Sequence, residues 1–205
     1  MVKIKICGIT SLDDARAASD FGADAIGFVF FKDSPRYISV RKAASIIQKL
    51  PSFITTIGVF VNEPPQYIEN VVSETGIDII QLHGEEPPEM CRFSRRTIKA
   101  IRVKSLESLD PLVTYKDLVS GFLLDTYAPK TLGGTGQVFN WSIAVEAKQF
   151  GRIILAGGLT IDNIVKAIKS VKPYGVDVSS GVELGKGKKD HKTMKLFIEK
   201  AKSAL

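Results

Sequence analysis

A chain of 205 residues, 44% hydrophobic and 24% charged, with 28 Lys and Arg against 22 Asp and Glu and a net charge of +6, has a globular composition that excludes disorder. That length buries one large core without disulfide staples. The longest apolar stretch, Ala25 to Phe31, is far below the roughly 18 to 20 residues of a membrane span, and no leader pattern follows Met1, so a cytoplasmic protein with no membrane partner is expected.

Short apolar runs alternate with helical segments along the whole chain. Lys3 to Cys7 is a candidate strand, and Ser11 caps a helix over Leu12 to Phe21. Ala25 to Phe30 follows, then Ser39 before a helix over Arg41 to Leu50. The strand Ile54 to Val61 precedes Pro64-Pro65, which opens Gln66 to Glu74. Two more strands, Ile77 to Leu82 and Ile98 to Val103, are followed by the weakest helical segments, and Pro111 argues against a full helix over Leu106 to Tyr115. Val119 to Leu124 and Arg152 to Ala156 come next, then Thr160 as cap of Ile161 to Ser170, and last Gly175 to Val178. Beyond it, Met194, Ile198, Ala201 and Leu205 have helical spacing. Seven lysines (Lys186, Lys188, Lys189, Lys192, Lys195, Lys200, Lys202) against Asp190 and Glu199 put five of the six net positive charges in this last segment, where they read as the solvated face of an amphipathic helix. Interleaved aromatics are missing there, so no nucleic-acid partner is expected.

The runs are continuous and β-branched, which suits parallel strands buried on both faces. Eight strands in 205 residues give about 26 residues per strand-helix unit, close to the minimum, and no Gly-x-Gly-x-x-Gly follows the first strand. The fold class is therefore α/β, a single (β/α)8 TIM barrel over residues 1–205 rather than an open doubly wound sheet. Function is then expected at the C-terminal ends of the strands. Those positions hold Cys7, Arg36, Asn62, Gln81, His83, Arg102, Asp125, Gly157-Gly158, Asp177 and Ser179-Ser180-Gly181. The glycine-bearing turns after strands seven and eight, Gly157-Gly158 and Ser179-Ser180-Gly181, have the composition of a phosphate cradle, although either alone also suits a plain turn. Lys186, Lys188 and Lys189 add positive potential nearby or form a solvated loop.

Cys7 and Cys91 stand 84 positions apart, a spacing that suits free thiols rather than a disulfide framework or a zinc site. Taken alone, Cys7 is equally well a buried structural thiol. Asp125 shifts that balance, because it follows the apolar run Gly121 to Leu124, where apolar walls favour the proton-donating form of a carboxylate. A thiolate and a carboxylic acid at one barrel mouth make a general base and a general acid. His83 and His191 each stand apart from other ligating residues, so no metal is expected.

The residues also carry a resemblance. Lys5-Ile6-Cys7-Gly8-Ile9-Thr10, Gly22-Ala23-Asp24-Ala25 with Gly27-Phe28-Val29-Phe30, and Ser34-Pro35-Arg36 are similar to blocks of the phosphoribosylanthranilate isomerases of tryptophan biosynthesis. Gly58-Val59-Phe60-Val61-Asn62, Gln81-Leu82-His83-Gly84, Leu123-Leu124-Asp125, Gly133-Gly134-Thr135-Gly136, Leu155-Ala156-Gly157-Gly158-Leu159 and Val176 to Glu183 continue it in the same order, almost from end to end.

The resemblance implies an Amadori rearrangement of a phosphorylated aminosugar that needs no cofactor. Asp125 would protonate the furanose ring oxygen, Cys7 would take the proton from C2, and Arg36 would pair with the anthranilate carboxylate. This asks the Cys7 thiol to be partly ionised, which the helix start at Ser11 would favour. His83 and Asp177 are expected in the substrate pocket, with no chemical step assigned to either. Two residues depart from the family pattern: Asn140 stands where Asp is usual and caps nearly as well, and Lys186 replaces a proline. The rival enzyme, indole-glycerol-phosphate synthase, calls for a lysine acid and a glutamate where this chain has Cys7. A non-reacting phosphosugar-binding protein is the other alternative, and either a monomer or a homodimer fits.

Overall fold

The structure, a computed structural model, describes residues 1–126 and 139–204. Eight parallel strands close into a barrel in chain order: β1 (Lys3–Cys7), β2 (Ala25–Val29), β3 (Thr55–Phe60), β4 (Ile79–Leu82), β5 (Arg96–Val103), β6 (Gly121–Thr126), β7 (Ile153–Leu155) and β8 (Gly175–Val178). Closure is made by β1 on β8, with Lys3 opposite Gly175 and Lys5 opposite Asp177. The predicted strands are all present, with ends shifted by one or two residues.

Helices α1 (Leu12–Asp20), α2 (Val40–Ile47), α3 (Pro65–Thr75), α4 (Leu112–Tyr115), α5 (Trp141–Glu146), α6 (Ile164–Val171) and α7 (His191–Lys202) surround the ring. Their starts follow sequence chemistry. Ser11 Oγ accepts from Asp14 N at 3.2 Å, Ser39 Oγ from Lys42 N, and Asn140 Oδ1 from Ser142 N at 3.1 Å, while Pro65 occupies the first turn of α3. After β4 there is only a 3₁₀ turn, Pro88–Cys91, and Pro111 splits the next segment into a 3₁₀ turn, Leu106–Leu109, and the single-turn α4.

Two predicted features differ. Thr160 does not cap a helix from Ile161: its Oγ1 accepts from Asp162 N, Asn163 Oδ1 accepts from Thr160 N, and this polar turn delays α6 to Ile164. The lysines after β8 are not a uniformly solvated loop. Glu183–Gly185 (β9) and Lys188–Lys189 (β10) pair as an antiparallel ribbon that turns at Gly187 and buries Lys189.

The core has two layers because side chains alternate along each strand. Ile4, Ile6, Phe28, Phe30, Phe122 and Leu124 face outward into the helix layer, each fully buried side chain contributing about 1.5–3 kcal/mol. Met194, Phe197, Ile198 and Ala201 of α7 join that layer, with Lys192, Lys195 and Lys202 exposed; Leu205 lies outside the described residues. The smaller inner layer holds Ile57, Ile98, Ala100, Leu123 and Ala156. That small plug fills the ring and leaves the positions above it for chemistry. No helix among the described residues is long and apolar enough to cross a membrane.

Candidate active site

The same alternation that sends Ile4 and Ile6 outward turns Lys5 and Cys7 inward, and on β4 it turns Gln81 and His83 inward together. At the C-terminal end of the barrel one cavity is lined by Cys7, Asp125, Arg36, His83 and Asp177 and by both glycine-bearing turns, Gly157-Gly158 and Ser179 to Gly181. Two residues of the predicted strand-end set lie elsewhere. Arg102 does not line the cavity, and Asn62, at φ 53°, is built into a turn whose N–H donates to Glu86 Oε1 at 2.8 Å. The block Gly133 to Gly136 lies outside the described residues.

On the β1 side, Cys7 is buried above an ion pair inside the ring, Lys5 Nζ to Asp177 Oδ1 at 3.0 Å. The sequence predicted a thiol eased toward its thiolate by the start of α1. Burial is the stronger effect: it pushes the Cys7 thiol above its ordinary value, while the Lys5 ammonium and, more weakly, Lys189 pull the other way. Burial likewise disfavours charge on Lys5, but Asp177 and Cys7 outweigh it and hold the ammonium above its usual range. Cys91, the other thiol, is buried beneath the Pro88–Cys91 turn, outside the cavity.

On the β6 side, Asp125 is held by polar partners rather than by the apolar walls the preceding run predicts. Its Oδ1 accepts from Thr126 N at 2.8 Å, and its Oδ2 is 3.2 Å from His83 Nε2. His83 Nδ1 in turn meets Gln81 Nε2 at 2.9 Å. Gly157, at φ 77°, closes this corner: a Cβ there would stand 2.7 Å from Asp125 Oδ1.

Arg36 is fixed before any substrate arrives. Its Nε and Nη2 donate to Glu183 Oε1 and Oε2 at 2.9 and 2.8 Å, and Lys189 Nζ donates to Glu183 Oε1 at 2.9 Å and to Ser179 O at 3.1 Å. Burial alone would raise the Glu183 carboxyl, but the two cations hold it below the usual carboxylate range. The pair leaves Nη1 of Arg36 to meet a ligand carboxylate. Glycine at 181 lets the two turns meet, because a Cβ there would overlap the Leu159 carbonyl oxygen. Ser179 Oγ is buried with no hydrogen-bond partner among the described residues, an unused donor beside that junction.

Sequence reasoning gave no role to Lys5 and Glu183, placed Gln81 at a strand end without a role, and read Lys189 only as nearby positive potential or solvated loop. Lys5 was discoverable: it precedes Cys7 by two on a strand, so the two share a face. Lys189 and Glu183 carry no such signal, since their contact depends on the β9–β10 ribbon.

Comparison with known proteins identifies a family. Residues 4–200 match the family described as N-(5'phosphoribosyl)anthranilate (PRA) isomerase. The chain is 54% identical over 203 residues to an N-(5'-phosphoribosyl)anthranilate isomerase of Geobacter sulfurreducens, covering 98% of this chain and 99% of that protein. It is similar to the crystal structure of the Thermotoga maritima phosphoribosyl anthranilate isomerase, with a TM-score of 0.93 and 45% identity over 98% of this chain and 99% of that one. Another similar solved structure, 43% identical with a TM-score of 0.89 over 98% and 99% of the two chains, is of a phosphoribosyl anthranilate isomerase in complex with reduced 1-(o-carboxyphenylamino)-1-deoxyribulose 5-phosphate.

Proposed function

The chain belongs to the N-(5'-phosphoribosyl)anthranilate isomerase family, and we propose that Cys7 and Asp125 are the base and the acid with which it works. It is an isomerase of tryptophan biosynthesis that converts N-(5-phosphoribosyl)anthranilate to 1-(2-carboxyphenylamino)-1-deoxyribulose 5-phosphate by an Amadori rearrangement.

Asp125 gives its proton to the furanose ring oxygen as the bond from C1 to that oxygen breaks and the anilino lone pair forms an iminium at C1. Cys7, as thiolate, takes the proton from C2 and leaves an enolamine. C1 then gains a proton, the C2 hydroxyl loses one, and the ketone results. Protons balance over the cycle without a cofactor. The developing iminium supplies the positive charge that the buried thiolate needs, adding to that of Lys5. Arg36 takes the anthranilate carboxylate, His83 and Asp177 border the sugar, and Gly157, Gly158, Ser179, Ser180 and Gly181 hold the phosphate through backbone N–H groups and hydroxyls. The ligand is a diffusible cytoplasmic metabolite, with neither nucleic acid nor membrane involved, and one chain supplies the whole site whether it is a monomer or a homodimer.

The observation that carries this reading is that a thiol and a carboxyl face one cavity between an arginine and two glycine-bearing turns. Its test is the decay of anthranilate-type fluorescence with substrate generated in situ. Folded Cys7→Ser and Asp125→Asn enzymes should each lose about 10²–10⁴-fold in kcat. Wild-type rates in either variant sink the role given to that residue.

A further inference from the structure

Asp125 must hold a proton when turnover begins, yet its Oδ2 lies 3.2 Å from His83 Nε2. A free imidazole binds a proton more tightly than a free aspartate does, by over two units of reference pKa, so such a pair ordinarily rests as carboxylate and imidazolium. In that state the acid is already spent. The other ring nitrogen decides the matter. His83 Nδ1 is 2.9 Å from Gln81 Nε2, a group that only donates.

An imidazolium would set N–H against N–H at that contact. Gln81 therefore fits a ring whose Nδ1 is bare and whose single proton is on Nε2, where it donates to Asp125. A further proton reaching the pair then rests on the carboxyl. Both oxygens have room for it: Oδ1 takes one N–H from Thr126 and Oδ2 one from His83, and each keeps a second lone pair. Burial supports the amide orientation. Gln81 is 1% exposed and its Oε1 meets no partner among the described residues. Turning the amide would satisfy that oxygen but move both N–H groups to the site where no hydrogen bond is made, and buried orphan donors are rarer than under-used carbonyls.

We propose that Gln81, acting through His83, is a positioning residue that keeps the catalytic proton on Asp125. This rests on Asp125 being the acid, as argued above. The other ionisable groups facing the pair are Arg102, the register neighbour of Asp125 on β5, and Cys7, Arg36 and Asp177 around the cavity. Arg36 is paired with Glu183 and Asp177 with Lys5, Cys7 stands on the opposite wall, and Arg102 does not line the cavity, so the hydrogen bonds of His83 are the direct contacts of Asp125 Oδ2.

The test is ¹⁵N NMR of the full chain, which has only two histidines, so that His83 is assigned by the signals lost in His83→Asn. At pH 7 the wild-type ring should be neutral with its proton on Nε2. An imidazolium, or the tautomer protonated on Nδ1, overturns the proposal without any variant having to fold. Gln81→Glu replaces the donor by an acceptor and should produce the imidazolium, with kcat down by roughly one to two orders of magnitude, KM little changed, and activity confined to lower pH. A folded Gln81→Glu enzyme with a neutral ring and the wild-type pH profile also overturns it. Wild-type turnover by Asp125→Asn overturns the acid assignment beneath the proposal, an outcome kept separate because the ring is read in the absence of substrate.

Discussion

The two walls of the cavity treat charge in opposite ways. On the β1 and β8 wall, Cys7 stands over a buried ion pair, Lys5 with Asp177, whose side chains are only 4% and 9% exposed. On the β4 and β6 wall, Asp125 ends a run of hydrogen bonds through His83 and Gln81 that carries no fixed cation. The difference matches the roles proposed for the two groups. A base that ionises inside the protein, the part proposed for Cys7, is helped by a positive charge beside it, whereas the part proposed for Asp125 is served by directed hydrogen bonds.

Removing the two groups proposed to react should break both walls equally. Cys7→Ala and Asp125→Asn should each lower kcat/KM by about 10²–10⁴-fold, and the double variant should be little worse than the poorer single one, since both act in one proton cycle. Additive losses in steady-state fluorescence assays would show that the walls work independently. Lys5→Met should separate the walls by stability, costing about 3–5 kcal/mol in urea unfolding because Asp177 is left buried without its cation. Lys5→Met with Asp177→Leu should recover most of that stability but not the activity. Recovery of both would mean that the pair serves only packing.

The pH profile sharpens the contrast. The proposed base must lose a proton from a thiol that burial raises above its ordinary value, while the proposed acid must keep its own, so kcat/KM should pass through a broad maximum and fall on both sides of it. A steady climb to alkaline pH would show that no protonated acid is needed. Arg36→Lys should raise KM by roughly ten-fold with kcat nearly kept, because a lysine cannot repeat the two-pronged contact with Glu183. The smallest effect concerns acid stability. The Glu183 carboxyl is lower in the folded chain than its unfolded value near 4.3, so its contribution is present above that pH and lost as pH falls through the folded value. Urea melts between pH 7 and 3 should show a shallower acid decline in Glu183→Gln.

The barrel was legible because its strands announce themselves. Runs such as Ala25 to Phe30 and Val119 to Leu124 are apolar, bounded and too short for helices, and all eight appear in the ring. Helix starts were less secure where polar residues compete with the backbone: Thr160 looks like a cap, yet its bonds with Asp162 and Asn163 make a turn instead. At the site, the strand-end positions of Cys7, His83, Asp125 and Asp177 follow from counting. Their partners are harder, because the contact of Lys5 with Asp177 joins residues 172 apart and that of Arg36 with Glu183 joins residues 147 apart. No local pattern encodes such pairs. The pull of charge on Cys7 and the polar setting of Asp125 are properties of the closed ring.

That ring is completed by the pairing of β1 with β8, and Lys5 with Asp177 is one of its rungs. During synthesis the chain reaches Cys7 almost at once, but Lys5 waits for its counter-charge until β8 has left the ribosome. An unfinished chain therefore carries Cys7 and Lys5 without the Asp177 carboxylate and the two turns that complete the cavity. Catalytic competence arrives with the last stave, so the enzyme is silent until its barrel is whole.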